Sequence, residues 1–192
     1  MVEADQLIRV DWGELAAIEP RPDEVATHAT VLARAYNDPH NAPLLGHTQL
    51  LTEQDVREVY ESLFDRTARP FLLFEAGELA GDGDIRSIED GAGEFAFLIA
   101  APSAQGKGLG TRFATMIHAF AFTHLPVERL YASIVPENTA SRRVFEKLGY
   151  RVDDSPPARD FADEGDVVMV IDKASFLARH AAAMAQIRIA VR

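Results

Sequence analysis

The chain of 192 residues contains no cysteine. That excludes disulfides, a thiol nucleophile with its acyl-cysteine intermediate, and thiolate metal sites. Basic residues are the next shortage: 19 Lys and Arg stand against 30 Asp and Glu, a formal net charge of -11. An excess of that sign disfavours nucleic acid as a partner and attracts cations. Long apolar runs are missing too. None approaches the roughly 20 residues that span a bilayer, and the acidic start Met1-Val2-Glu3-Ala4-Asp5-Gln6 has no apolar signal-like segment. The expectation is a cytoplasmic protein with no membrane partner. The histidines, His28, His40, His47, His118, His124 and His180, share no ligand spacing, so no metal site is expected. With 47% hydrophobic and 26% charged residues and neither internal repeat nor low-complexity linker, the chain reads as one domain over 1–192.

What is present is organised around Ala104-Gln105-Gly106-Lys107-Gly108-Leu109-Gly110-Thr111-Arg112. The stretch lies between a strand-like run, Glu94-Phe95-Ala96-Phe97-Leu98-Ile99-Ala100, and a helical pattern from Gly108 to His124. Strand, glycine loop and helix start together aim unpaired backbone amides at one point, where the macrodipole favours an anion and three glycines let it approach. The loop therefore reads as a pyrophosphate cradle. Spacing rules out the two commonest kinds. A Walker loop needs a glycine five residues before the Gly-Lys pair and Ser or Thr after it, where this chain has Ala101 and Gly108. A dinucleotide fingerprint needs G-x-G-x-x-G, and Gly106, Gly108 and Gly110 are one residue too tight.

Gln105 to Gly110 resembles the Q/R-x-x-G-x-G/A loop of the GNAT superfamily of acetyl-CoA-dependent N-acetyltransferases. Downstream, the strand-like Leu130 to Val135, then Val135, Asn138 and Ser141, then Glu146-Lys147-Leu148-Gly149-Tyr150 resemble the second half of that family's cofactor site. The signature covers Glu94 to Tyr150, and the pattern is closest to the ribosomal-protein N-terminal acetyltransferase-like group. The resemblance implies an α+β GNAT fold. It would have a mixed, mostly antiparallel sheet of six to seven strands with a parallel splayed pair at the cofactor site, flanked by four helices plus a C-terminal helix.

The remaining pattern agrees with that expectation. Leu7, Ile8 and Val10 suggest a first strand, and Pro22-Asp23-Glu24 opens a helix with Val25, Ala29, Leu32 and Tyr36 on one face, stopped at Asp38-Pro39. A loop from Asn41 to Gln49 leads to Thr52 and Asp55, a capping-box variant before a second helix. Phe71 to Phe74 and Leu79 to Ile88 read as a hairpin about Gly77, with polar alternation at Asp82, Asp84 and Arg86. Leu109, Phe113, Ile117 and Phe120 read as a core face. The loop from Asp153 to Asp166 holds six acids against one base, and Val167 to Ile171 is a last strand. A tail helix from near Asp172 to Arg192 (extension 173–192) carries Leu177, Ala181, Met184, Ile187 and Val191. That stripe covers either its own sheet or a second subunit, which would make a homodimer through the C-terminal helix.

By this resemblance, acetyl-CoA is the cosubstrate, and Phe97, Leu98, Ile99, Gln105, Gly106, Lys107, Gly108, Leu109, Gly110, Thr111, Asn138 and Ser141 hold it. The Leu98 amide would polarise the thioester carbonyl. An ammonium acceptor must lose a proton before it attacks, and Glu94 is the expected base; its alternative reading is an ordinary acid at a strand edge. Asn138 is equally a helix cap. Lys107, Arg112 and Arg142 are auxiliary cations. The family's usual acid tyrosine is Phe145 here, which leaves Ser141, Tyr131 or Tyr150 as substitutes, or departure of an unprotonated thiolate. The implied function is acetyl transfer to a primary amine, a protein N-terminus or a small amine, by direct attack in a ternary complex. The alternative is a non-catalytic acyl-CoA-binding sensor. Acids of the Asp153–Asp166 loop with Asp82 and Asp84 would favour a cationic acceptor if they line the site.

Overall fold

The computed structural model describes residues 6–46, 49–64 and 68–192, so the start Met1 to Asp5 and His47 lie outside the described residues. A hairpin of β1 (Ile8–Trp12) and β2 (Leu15–Ile18) opens the chain, followed by α1 (Pro22–Tyr36), a single turn of tighter helix at Ala42–Leu45, and α2 (Glu53–Leu63). Pro22 fits the first turn of α1, where its missing N–H costs nothing, and Glu24 accepts a hydrogen bond from the Arg21 amide at 2.7 Å. Thr52 and Asp55 cap α2 reciprocally, each side chain accepting the other's backbone N–H. A meander of β3 (Arg69–Glu75), β4 (Glu78–Glu89) and β5 (Ala92–Ile99) comes next. It leads through α3 (Leu109–His124), β6 (Arg129–Ile134), α4 (Thr139–Leu148) and β7 (Arg151–Val152) to α5 (Pro156–Arg159), β8 (Val167–Asp172), α6 (Lys173–Met184) and β9 (Arg188–Val191).

The strands form one sheet in the order β7-β8-β6-β5-β4-β3-β2-β1-β9. Alternation sorts its residues onto two faces. Phe71, Ile85 and Phe95 pack with Phe113, Ile117 and Phe120 of α3, as the core stripe predicts. Leu72 and Ile18 turn the other way, onto Val25, Ala29 and Leu32 of α1 and Val56 and Tyr60 of α2. Burying each of these phenylalanines stabilises the fold by about 1.5–3 kcal/mol, so the α3 face is the more heavily anchored. Among the described residues no helix is long and apolar enough to cross a membrane.

One break in the sheet positions the site. β5 and β6 are parallel and pair only from Ala92 with Arg129 to Glu94 with Tyr131. Beyond that point β6 follows β8 as far as Ile134 with Val167, while β5 follows β4 as far as Ile99 with Gly81. The two strands splay, and Phe95 to Ile99 face a gap where a strand would otherwise lie.

Two expectations are corrected. Among the described residues the sheet has nine strands, not six to seven: β2 and β9 are additional. The four residues of β2, Leu15-Ala16-Ala17-Ile18, carry no polar alternation, and their pairing with β3 and β1 makes them a strand. The tail does not stay helical to Arg192. α6 stops at Met184, and Arg188 to Val191 add to β1 with Ile8 opposite Val191. Ile187, Ile189 and Val191 satisfy a period of two as readily as part of a helical stripe, and an open sheet edge decides between them. Arg192 then fastens the end, its amide donating to Leu7 C=O at 2.8 Å and its guanidinium to Glu24 at 2.5 Å. α6 buries Phe176 in its own core, so the tail covers this chain's sheet.

Candidate active site

The gap opens into two adjoining cavities of opposite character. The smaller, about 260 Å³, lies against the glycine loop and the start of α4. Gly106 and Gly108 have φ of +73° and +86°, the left-handed region that disfavours side chains, and a Cβ at either would meet open space. Gly108 caps α3 without a side-chain acceptor, and the amides of Gly108 to Thr111 meet no acceptor among the described residues. Gly110 serves packing: a Cβ there would come within 2.9 Å of the Phe97 ring. Gln105 braces the loop instead of facing the cavity alone, its side-chain amide donating to Ile99 C=O at 3.1 Å and Asn41 at 2.9 Å.

Of the residues expected around an anion, Phe97, Leu98, Ile99, Gln105, Gly106, Gly108, Gly110, Thr111, Asn138 and Ser141 line this cavity, whereas Lys107 and Leu109 do not. Leu109 is buried in the α3 core. Asn138 caps α4 by accepting the Ser141 amide at 2.9 Å and donates to Leu44 C=O, tying α4 to the loop after α1. The cations at the rim are Arg143 and Lys147, which sequence reasoning missed. Their i, i+4 spacing on the face of Ser141 and Val144 was the available signal. Arg112 instead donates to Trp12 C=O and lies over its ring, and Arg142 pairs with Glu146.

Backbone direction along β5 follows from its pairing. The Ala100 amide donates to Ala80 C=O at 2.9 Å, and hydrogen-bonded pairs alternate in an antiparallel ladder. Leu98 is therefore bonded to Asp82 of β4, and its carbonyl lies only 2.1 Å from where a Gly81 Cβ would be. The amides of Phe97 and Ile99, not that of Leu98, point into the gap. The expectation for Leu98 is corrected by one residue of strand parity.

The larger cavity, about 570 Å³, lies on the α1–α2 face and shares Leu44, Leu45, Phe97, Leu98, Asn138 and Ser141 with the first. Among the described residues its carboxylates are Asp82, Asp84, Glu94, Asp163 and Asp166, against the single cation Arg86. Asp84 and Arg86 pair with each other at 2.7 Å and 3.0 Å. Asp82 is 2% exposed and accepts the hydroxyls of Tyr36 and Tyr60 at 2.7 and 2.9 Å, both on Oδ2. Burial pushes its pKa up to about 6, the two phenols pulling against that rise. Glu94 is half-buried at the point where the strands part; burial raises its pKa and the Arg86 charge opposes the rise. Ser133 donates to Asp166 at 2.9 Å and holds that loop against β6.

The acidic loop thus contributes Asp163 and Asp166 to the cavity, and its other acids do not line it. Asp82 and Asp84, read as alternation along a hairpin, are both buried, Asp82 against Tyr36 of α1 and Tyr60 of α2 and Asp84 beside Arg86. Of the hydroxyls weighed as a proton source, only Ser141 lines either cavity. Tyr131 stacks on Phe161 at 4.3 Å, and Tyr150 meets His118 Nε2 at 2.5 Å in the core, where burial lowers the histidine to about 3. Phe145 is 3% exposed, packed among Phe95, Phe97 and Tyr150.

Residues 19–151 match the family described as the acetyltransferase (GNAT) domain. The chain belongs to that family. It is 31% identical over 102 residues to the spermidine N(1)-acetyltransferase of Escherichia coli K12, an alignment covering 52% of this chain and 54% of that protein, so the match spans about half the length of the curated relative. Among solved structures, Mycobacterium smegmatis RimJ in complex with CoA-disulfide superposes with a TM-score of 0.71 at 21% identity, over 95% of this chain and 94% of that one. Spermidine N-acetyltransferase from Vibrio cholerae, in complex with CoA and spermine, gives 0.70 at 19% identity, over 85% and 98%. These likenesses establish the fold.

Proposed function

We propose that the chain is a cytoplasmic acetyl-CoA-dependent N-acetyltransferase that moves an acetyl group to a cationic primary amine by direct attack in a ternary complex. The observation that carries this reading is the meeting of an amide-rich, cation-rimmed cavity with a carboxylate-lined one at a single splayed strand pair. The coenzyme's pyrophosphate belongs at Gly106 to Thr111, with Arg143 and Lys147 beside it. Its pantetheine arm follows β5, where the amides of Phe97 and Ile99 are free to pair, and one of them polarises the acyl carbonyl. The acceptor enters from the acidic side.

Its ammonium gives a proton to Glu94, directly or through water, and the freed nitrogen lone pair attacks the thioester carbon. The new C–N bond forms, the C–S bond breaks, and the thiolate leaves. The nitrogen sheds its second proton as the intermediate collapses, and that proton passes to the sulfur or to solvent, with Ser141, which lines both cavities, as a hydroxyl that can relay it. A thiol of pKa near 8.5 also tolerates leaving as the anion, which fits the phenyl ring of Phe145 in place of a phenol. Small polyamines suit a cavity of this charge, and the chain's relatives include spermidine acetyltransferases. A protein N-terminus is the second reading, favoured by the apolar wall of Leu44, Leu45, Leu51, Val56, Val59 and Leu63. A homodimer through the tail is a separate proposal, to be checked by analytical ultracentrifugation.

Thiol release from acetyl-CoA, measured against a panel of amines, tests the proposal. Turnover is expected with at least one cationic amine, and Glu94→Gln should cut it about a hundredfold, most severely at low pH, with coenzyme affinity unchanged. Coenzyme binding without release for any amine would leave a sensor in place of an enzyme.

A further inference from the structure

The acceptor cavity contains more acid than one reacting amine requires, and the acids divide into two groups. Glu94, Asp163 and Asp166 gather where β5 and β6 part, near the loop held by Ser133. Asp82 stands apart. It pairs with Leu98 across the β4–β5 ladder, four residues along β5 from Glu94, which the rise of a strand converts to about 13 Å. Asp84 lies between the two groups, neutralised by Arg86.

Asp82 also differs in how it is held. Two phenols, one from α1 and one from α2, donate to the same oxygen, Oδ2, and fix the plane of the carboxylate. The other oxygen, Oδ1, is buried and is the one buried side-chain polar atom among the described residues with no hydrogen-bond partner. A buried carboxylate oxygen without a donor is costly, on the scale of a lost charged hydrogen bond. A ligand that brings N–H donors and positive charge removes that cost. A mere packing role would not need the charge, because an asparagine would satisfy both phenols equally well.

We propose that Asp82, positioned by Tyr36 and Tyr60, is a cation subsite at the buried end of the acceptor cavity, which holds a second, non-reacting ammonium of a di- or polyamine. The inference rests on the amine-transfer reading and narrows its acceptor class. The reacting nitrogen sits at the Glu94 group, the distal nitrogen donates to Asp82 Oδ1, and the methylene chain between them runs along the apolar wall from α2. Asp82 selects the acceptor and takes no part in bond making. A monoamine satisfies the reacting end alone and leaves the Asp82 carboxylate bare.

The test compares spermidine with n-butylamine as acceptors, and parent with Asp82→Asn. The variant should raise the KM for spermidine by about tenfold, the equivalent of about 1.4 kcal/mol, and leave its kcat and both butylamine constants within about twofold. Tyr60→Phe, which removes one of the two donors to Oδ2, should raise the spermidine KM by a smaller factor, about threefold. Equal losses of kcat with both amines would overturn the proposal by making Asp82 a proton acceptor for the reacting nitrogen. Unchanged KM for spermidine would overturn it as well. Spermidine added without acetyl-CoA should raise the Tm of the parent and not of Asp82→Asn. This readout needs no turnover, so it tests the subsite even if no amine is acetylated, and no shift in the parent would also refute it.

Discussion

The two ends of the cleft recognise opposite charge by different materials, backbone at one and side chains at the other. The cavity beside α3 draws its positive character chiefly from amides of Gly108 to Thr111, one contiguous run whose geometry is set by left-handed glycines. The cavity under α1 and α2 draws its negative character from carboxylates on β4, on β5 and in the loop before β8, steadied by phenols from two helices. A site made of main chain needs small residues at fixed spacing. A site made of side chains needs distant segments to converge, and it can change its ligand one residue at a time while the first end stays as it is.

The largest expected effect strikes the strand pair that both ends share. Gly81→Ala puts a Cβ 2.1 Å from the Leu98 carbonyl, a backbone atom that cannot step aside. It should cost about 3 kcal/mol in urea or thermal unfolding, with both ligands binding weakly. A parent-like Tm would mean that β4 and β5 do not approach as described.

Gly108→Glu should separate the ends. Its carboxylate enters the amide-rich cavity and its backbone is strained at positive φ, so coenzyme affinity by calorimetry should fall at least a hundredfold while the spermidine-induced Tm shift survives. Unaltered affinity in a folded variant would remove the cradle from the account. A smaller effect, about tenfold, is expected for the double change Arg143→Ala and Lys147→Ala. Those cations are exposed and screened, so the loss should shrink as salt is raised.

The smallest effect concerns the acidic end without ligand. The folded-state pKa of Asp82, about 6, lies above its ordinary value of 3.8. The folded protein therefore holds that proton more tightly, and stability drains away as pH rises through this interval. Asp82→Asn should be more stable than the parent by about 1 kcal/mol near neutral pH and lose the advantage below about pH 4, read as Tm across a pH series. A variant less stable than the parent near neutral pH would mean that the charge of Asp82 is compensated within the fold.

Legibility in the sequence follows the same division. Leu109, Phe113, Ile117 and Phe120 announce the buried face of α3, Thr52 with Asp55 the start of α2, and Asn138 the cap of α4, because each signal is local and periodic. β2 and β9 were not legible. Each is four residues long and owes its state to a neighbouring strand that needed a partner. Arg143 and Lys147 were readable from helical spacing, but Arg112 and Arg142 stood equally near in sequence and faced elsewhere.

The order of residues by itself determined the strand, glycine loop and helix start that make the anion cradle, since a run of main-chain donors depends on dihedral preferences that adjacent residues carry. Only the tertiary structure decided which amide of β5 faces the gap, which acids are buried and which remain in solvent, and which tyrosines hold Asp82. Those outcomes depend on strand parity and on helices that arrive from 46 and 22 residues away. Short-range sterics are written in neighbouring residues, whereas the electrostatics of a cavity exist only after distant segments have excluded water from between them.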